Sequence, residues 1–258
     1  MTWNPELYNQ YKDIRNEPFY DLRDLIAPDE YVNGIDLGCG TGEQTAILKD
    51  WLPKSTLLGI DSSKEMLATS SIYQSPGLRF KLQDIRDVLK AGDRYDLVFS
   101  NAALQWIDDH QVLIPQILNL LTPGGQFAVQ MPVQHENLLN RILISLAGEA
   151  PYASIFAEFK RESPVLSIDQ YAQLLFDGGL KDLHISIKMY PMVANSSSEL
   201  YNFIAGSALQ PYLDRLPNDV RDRFIDEFRF RIQKSFASYP AIYAFKRLLI
   251  YGRRAQDS

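Results

Sequence analysis

Ile35-Asp36-Leu37-Gly38-Cys39-Gly40-Thr41-Gly42-Glu43 is the stretch on which the reading of this chain turns. An apolar run from Tyr31 to Leu37 carries an acid next to its end, three glycines follow at alternate positions, and Glu43 to Leu52 is patterned as a helix. Strand, glycine-rich turn and helix form the nucleotide-binding crossover of an α/β sheet: glycine tolerates positive φ and lets a ligand reach bare backbone. The spacing is G-x-G-x-G, not the G-x-G-x-x-G of a dinucleotide site. Asp36 is a poor neighbour for a pyrophosphate and a good one for a cation. A nucleoside ligand with positive charge fits both features, and S-adenosylmethionine (SAM) carries it on an amino group and a sulfonium.

Downstream, further strands end in polar residues. Ser55 to Asp61 reads as a second strand, and Asp61 lies about 20 residues past the glycines, where an acid accepts from both hydroxyls of a ribose; capping the helix that starts at Ser62 or Ser63 is the competing use. Gly77 to Ile85 reads as a third strand ending at Asp84, placed with Ile85 to take an adenine amino group and cover its ring; a plain turn Asp is the alternative. Tyr95 to Asn101 is a fourth strand, followed by a loop or short helix through Gln105 and Trp106. Gln111 to Leu121 reads as a helix, Leu121 to Gly125 as a breaker cluster and Gln126 to Pro132 as a fifth strand. Alternation of strand and helix predicts a parallel sheet covered on both faces. The glycines, Asp61, Asp84, Asn101 and Gln130 would all sit at the C-terminal strand edge, where such sheets bind ligands.

On the flanks, Pro5 to Ile26 reads as helical with an interruption near Pro18. Tyr8, Tyr11 and Arg15 share one face, either as a surface helix packing its tyrosines or as a lid supplying Tyr11 and Arg15 to a pocket. Helices are expected at 136–148, 167–176, 196–207 and 217–234, and strands at 180–191 and 241–252, the last two forming an antiparallel sheet edge. The expected organisation is one domain over 1–258: an N-terminal helical lid (1–29), a cofactor-binding core (30–132), the rest of the sheet with its helices (133–195 and 237–258), and a helical cap inserted at 196–236.

The 258 residues, 46% hydrophobic and 22% charged, suffice for one sizeable core. A net charge of −6 without a Lys/Arg run disfavours a nucleic-acid partner. Cys39, the one cysteine, excludes an internal disulfide, and no Cys/His spacing suggests a metal. No signal-peptide pattern opens the chain and no apolar run approaches the ~20 residues of a membrane helix, so a soluble cytoplasmic protein without a membrane partner is expected.

Asp36 to Gly42, with Asp61, Asp84-Ile85 and Pro123-Gly124-Gly125, resembles the class I SAM-dependent methyltransferases. Trp3-Asn4-Pro5, Leu7-Tyr8, Arg15, Gly59 to Ser63, Asn101 to Trp106, Ala128 to Pro132 and Ala244-Phe245 with Arg247-Leu248 resemble the trans-aconitate 2-methyltransferase group within that family. The resemblance implies a Rossmann-like α/β fold with a mostly parallel seven-stranded sheet and a helical cap. It also implies SAM as methyl donor, S-adenosylhomocysteine as product, and in-line O-methylation of a carboxylate of a small polycarboxylic acid like trans-aconitate; monomer and homodimer are both open. Asp36, Gly38, Gly40 and Gly42 would then hold the methionine moiety, Asp61 and Ser62 the ribose, Asp84 and Ile85 the adenine, and Asn101 and Gln105 the region of the reactive methyl. Arg15, Arg247, His135 and Arg141 are candidate cations for the acid, Trp106 lines its site, and Tyr8 and Tyr11 exclude water. An ionised carboxylate is already a nucleophile at pH 7, so no general base is required. In one place the chain departs from the group: Ala208-Leu209-Gln210-Pro211-Tyr212-Leu213 stands where the group has Gly-Leu-Arg-Pro-Trp-Leu, so a guanidinium is replaced by Gln210. Other readings are a methyltransferase for another acid such as malonyl-acyl carrier protein, a NAD-dependent oxidoreductase, and a SAM-binding protein without turnover.

Overall fold

The structure, a computed structural model, describes residues 11–28, 31–157, 159 and 163–256. Seven strands form one sheet: β1 (Asn33–Leu37), β2 (Thr56–Asp61), β3 (Leu78–Leu82), β4 (Tyr95–Asn101), β5 (Leu121–Pro132), β6 (Leu180–Ala194) and β7 (Ala241–Arg254). Their order is β3-β2-β1-β4-β5-β7-β6. The β1–β2, β1–β4, β2–β3 and β4–β5 pairs are parallel and β7 runs antiparallel to β5. The order reverses between β2-β1 and β4, the place where α/β sheets open a ligand crevice at their C-terminal edge.

The helices are α1 (Lys12–Asp24), α2 (Glu43–Trp51), α3 (Lys64–Leu67), α4 (Ile85–Ala91), α5 (His110–Leu118), α6 (Leu138–Ala147), α7 (Tyr152–Ile155), α8 (Ile168–Asp177), α9 (Ser197–Ala205), α10 (Gln210–Leu213) and α11 (Asn218–Ser235). Among the described residues none is long and apolar enough to cross a membrane.

The chain falls into two compact units. The larger comprises 18–132, 164–188 and 247–258. Its core on one sheet face joins Phe19 and Leu22 of α1 and Leu48 of α2 to Leu97, Phe99, Ala128, Leu249 and Tyr251 of the sheet. The alternate strand residues Val98, Phe127 and Val129 are equally buried, so β4 and β5 are covered on both faces. The smaller unit comprises 1–17, 133–163 and 189–246. There α9, α10 and α11 share a core with α6 and α7 through Tyr152, Phe156, Phe203, Tyr212, Phe224 and Phe228.

Three expectations need correction. Helix α1 is not interrupted: it runs through Pro18, which lacks only the N–H for the Ile14 carbonyl, while Phe19 and Leu22 are fully buried and hold the helix beyond it. Leu121 to Gly125 is not a break but the start of β5, joined to β4 through a register shift between Tyr95 and Leu97. Gly125 permits this, because a Cβ there would stand 2.9 Å from the Thr122 carbonyl and 3.1 Å from that of Tyr95. The third strand stops at Leu82, so Asp84 is not a strand residue but the N-cap of α4, accepting from the Arg86 N–H at 2.7 Å.

In the smaller unit, Tyr11 donates to the Glu199 carbonyl at 3.1 Å and packs edge-on against Phe203. Arg15 is buried, stacks its guanidinium 4.4 Å from the Phe203 ring centroid and donates to the Phe203 carbonyl. Arg15→Met keeps the aliphatic stem and removes the stacked charge and the donor, and is expected to destabilise the unit by about 1–3 kcal/mol. Thermal melting of the variant checks this; an unshifted transition would show that the stack carries no stability.

Candidate functional site

The glycine turn is tied down by backbone. Gly38 and Cys39 both donate to the Ile60 carbonyl, at 2.9 and 2.8 Å, which anchors the turn to the end of β2. Gly38, Gly40 and Gly42 all have positive φ. At Gly38 an added Cβ would lie 2.2 Å from the Ala103 Cβ, so the turn passes directly under the segment that leaves β4, and only a bare backbone fits.

Two carboxylates face this turn. Asp61 accepts from the Gly40 N–H at 2.9 Å through one oxygen and from the Ser63 N–H at 2.8 Å through the other. It therefore shapes the turn and the entry to α3, whose N-cap is Ser63, and a carboxylate still has lone pairs left for hydroxyl donors. Ser62 lies exposed beside it. Asp36 is buried; its Oδ2 accepts from Thr45 Oγ1 at 2.6 Å and its Oδ1 has no hydrogen-bond partner. Burial, with a smaller contribution from Asp61, pushes its carboxyl up to about 7. An orphaned acid oxygen in so dry a place is what a cationic ligand would satisfy.

The C-terminal ends of β4 and β5, with the segment of β7 beside them, carry a polar row. Asn101 and Gln130 are register partners of β4 and β5, and Arg247 of β7 lies opposite Pro132 at the last position of β5. Gln130 and Arg247 are both buried. Arg247 Nη1 donates to Gln130 Oε1 at 3.3 Å, Gln130 Nε2 to Asn101 Oδ1 at 2.6 Å, and Asn101 Nδ2 to Gln44 Oε1 of α2 at 2.7 Å. Next to Asn101, Ala102 adopts a left-handed φ of 55°, a conformation unfavourable for a residue with a Cβ. Its carbonyl takes the Gln105 Nε2 at 2.7 Å, leaving the buried Gln105 Oε1 without a partner. Trp106 is half exposed (51%). The turn Leu104–Trp106 is braced by the buried His110, whose Nε2 meets the Leu104 carbonyl at 3.0 Å while Nδ1 meets the Tyr171 hydroxyl.

The structure thus brings Asp36, the three glycines, Asp61, Asn101, Gln105 and Arg247 to one strand edge of the larger unit. Asp84 and Ile85 stand at the start of α4 after β3, the strand beyond β2. Tyr11, Arg15 and His135 belong to the smaller unit; His135 is exposed and 3.9 Å from the Glu136 carboxylate, and Arg141 is exposed. Tyr8 lies outside the described residues. Gln210 donates to the Ala205 carbonyl at 2.9 Å and so ties off the end of α9. Sequence reading missed Gln44 and Thr45 as members of the site, and used Gln130 only as a polar strand end. Their signal is positional: Gln44 and Thr45 open the helix after the glycine turn, and Gln130 follows from pairing β5 with β4.

The donors and acceptors fit SAM. The orphaned Asp36 oxygen suits its positive amino group, and the spare lone pairs of Asp61 suit a ribose diol. Among the described residues no group of three or more His, Cys, Asp or Glu is placed to hold a metal ion.

A family model described as a methyltransferase domain matches residues 28–173. The chain is 41% identical to a trans-aconitate 2-methyltransferase of Deinococcus radiodurans, over 99% of this chain and 100% of that protein. It is 34% identical to a trans-aconitate 2-methyltransferase of Variovorax paradoxus, over 98% and 96% respectively. Among solved structures, phosphoethanolamine N-methyltransferase 2 of Haemonchus contortus superposes with a TM-score of 0.58 at 17% identity, covering 96% of this chain and 57% of that one. The YcgJ protein of Bacillus subtilis gives 0.57 at 14% identity, covering 94% and 100%. These two likenesses concern the fold.

Proposed function

The chain belongs to the SAM-dependent methyltransferase family that includes the trans-aconitate 2-methyltransferases, and from that premise we propose that it methylates a carboxylate of trans-aconitate. The observation that carries the substrate class is the buried Arg247 in the polar row at the sheet edge that also holds the glycine turn. A guanidinium forks onto a carboxylate with two parallel N–H donors. The relatives' names supply the particular acid.

SAM supplies an electrophilic methyl group on a sulfonium, which leaves as a neutral thioether when a carboxylate oxygen takes the methyl. The protein's part is to bind and align. Asp36 neutralises the amino group, Asp61 receives the ribose hydroxyls, and Asp84 with Ile85 receives the adenine. Arg247 would fix the acid by a carboxylate at the sheet edge that holds the cofactor turn, and holding the two reactants in place is itself what lowers the barrier. The Gln105 amide, held by Ala102, and the Trp106 ring line the place where the methyl passes. No side chain has to remove a proton, because the nucleophile is already ionised. We place the enzyme in the cytoplasm, acting on a small acid and without a nucleic-acid or membrane partner, in keeping with its net charge of −6.

The direct test is transfer of label from SAM to a panel of di- and tricarboxylates that includes trans-aconitate. Turnover of trans-aconitate is the expected result; SAM binding with turnover of none of the acids would defeat the proposal.

SAM binding should also depend on pH. Burial pushes the Asp36 carboxyl up to about 7, whereas an unfolded Asp titrates at about 4. Between those values the folded state holds a proton that the unfolded state has released, so this group's contribution to stability falls as pH rises through that window. A cation beside Asp36 favours the carboxylate, so SAM binding releases a proton below pH 7 and its affinity climbs towards pH 7, then levels. Calorimetry at pH 6 in two buffers of different ionisation heat reads the released proton. Asp36→Asn should abolish it, and a buffer-independent heat for the wild type would refute the link.

A further inference from the structure

We propose that Gln130 is a positioning residue for the acid: it presents a neutral acceptor that aims the Arg247 guanidinium without cancelling its charge. This rests on the reading of Arg247 as the carboxylate ligand. The geometry comes from strand register. Asn101 pairs with Gln130, and Arg247 is two residues along β7 from the partner of Gln130, Leu249. All three side chains therefore stand on one face of the sheet, and they form one continuous hydrogen-bonded row that reaches Gln44.

The row has a single polarity. A guanidinium only donates, so Gln130 must turn its oxygen to Arg247 and its amide nitrogen away. That nitrogen is received by the Asn101 oxygen, and the Asn101 nitrogen by Gln44. Gln130, only 1% exposed, cannot turn to another partner without leaving the row. The charge of the acceptor matters as much as its place. A carboxylate there would form an ion pair with Arg247 and compete with an anionic substrate, whereas a primary amide holds the guanidinium without neutralising it. Gln, and not Glu, is the residue type that such a site needs.

This separates positioning from plain structure. If Gln130 only satisfied Arg247, Gln130→Glu would be the better partner and would be tolerated or stabilising. As a positioning residue, Gln130→Glu should raise the KM for trans-aconitate by about 30-fold or more, and Gln130→Leu by about 3- to 10-fold, the net value of one ordinary hydrogen bond that aims the guanidinium. SAM affinity should fall far less than KM rises in both, since the amides at the other end of the row keep their places. In Gln130→Glu the Asn101 and Gln44 amides can flip together, Asn101 donating to the introduced carboxylate and Gln44 to the Asn101 oxygen, so the row remains satisfiable and the fold is kept. The increase in KM should be larger for a tricarboxylate than for a monocarboxylate substrate.

An unchanged KM in Gln130→Glu, or a rise that accompanies an equal loss of SAM affinity, overturns the proposal. Wild-type enzyme that turns over none of the acids removes the substrate reading instead, and the positioning claim is then read without any acid, from the guanidinium ¹H–¹⁵N resonances of Arg247. Hindered rotation in the wild type that is released in Gln130→Leu supports it. The same rotation in both proteins refutes it.

Discussion

Asp61→Ala is expected to weaken SAM binding at least about 100-fold, the combined value of two hydrogen bonds to a charged acceptor at roughly 1.5 kcal/mol or more each. The effect has two sources. The ribose loses its acceptor, and the Gly40 and Ser63 N–H groups lose theirs, so the glycine turn that the ligand approaches is loosened as well. Asp61→Asn separates the two: its amide keeps one oxygen for the turn but cannot receive both hydroxyls as a carboxylate does, and about a tenfold loss is expected. Titration calorimetry with SAM measures both variants. An Ala variant that binds SAM like the wild type would remove Asp61 from the cofactor site.

The second large effect concerns the acid. Arg247→Ala should raise the KM for trans-aconitate by about 30- to 100-fold, the loss of a forked, charge-assisted contact, with SAM affinity within about twofold. Turnover at saturating acid should fall less than KM rises, the signature of a group that binds the substrate in ground state and transition state alike. The variant also strands the buried oxygen of Gln130, which is expected to cost about 1–3 kcal/mol of stability, so melting has to be followed alongside kinetics. Arg247→Lys keeps the charge and a donor but not the fork, and an intermediate KM is expected. A KM that does not move in a folded Ala variant would show that Arg247 serves the sheet and not the substrate.

The turn and the acids that we assign to the cofactor are legible in the chain because each is a local pattern. Asp36, the three glycines and the helix after them follow one another without a break, and the positive φ that the turn demands names glycine directly. Asp61 follows one crossover later at the next strand end. At Asp84 the strand signal runs on to the acid, whereas the acid caps the following helix, which is the ordinary competing use of an Asp at that point. The expectation of a break at Pro18 failed because one missing hydrogen bond is outweighed by burial of Phe19 and Leu22. The breaker residues Thr122 to Gly125 failed as a break because a sheet can absorb them as an irregular strand entry when Gly125 lets the backbones close up.

What the sequence by itself determined is the turn, the acids near the strand ends and the alternation that makes the sheet, since each is specified by the backbone conformation or periodicity of a short segment. Only the tertiary structure decided the polar row and the orphaned oxygen of Asp36. Gln130 lies 29 residues from Asn101 and 117 from Arg247 along the chain, and a register slip of one residue would turn any of them to the opposite face. Their meeting depends on how β4, β5 and β7 pair, and the unmet oxygen of Asp36 depends on what burial excludes; neither is encoded in a local pattern.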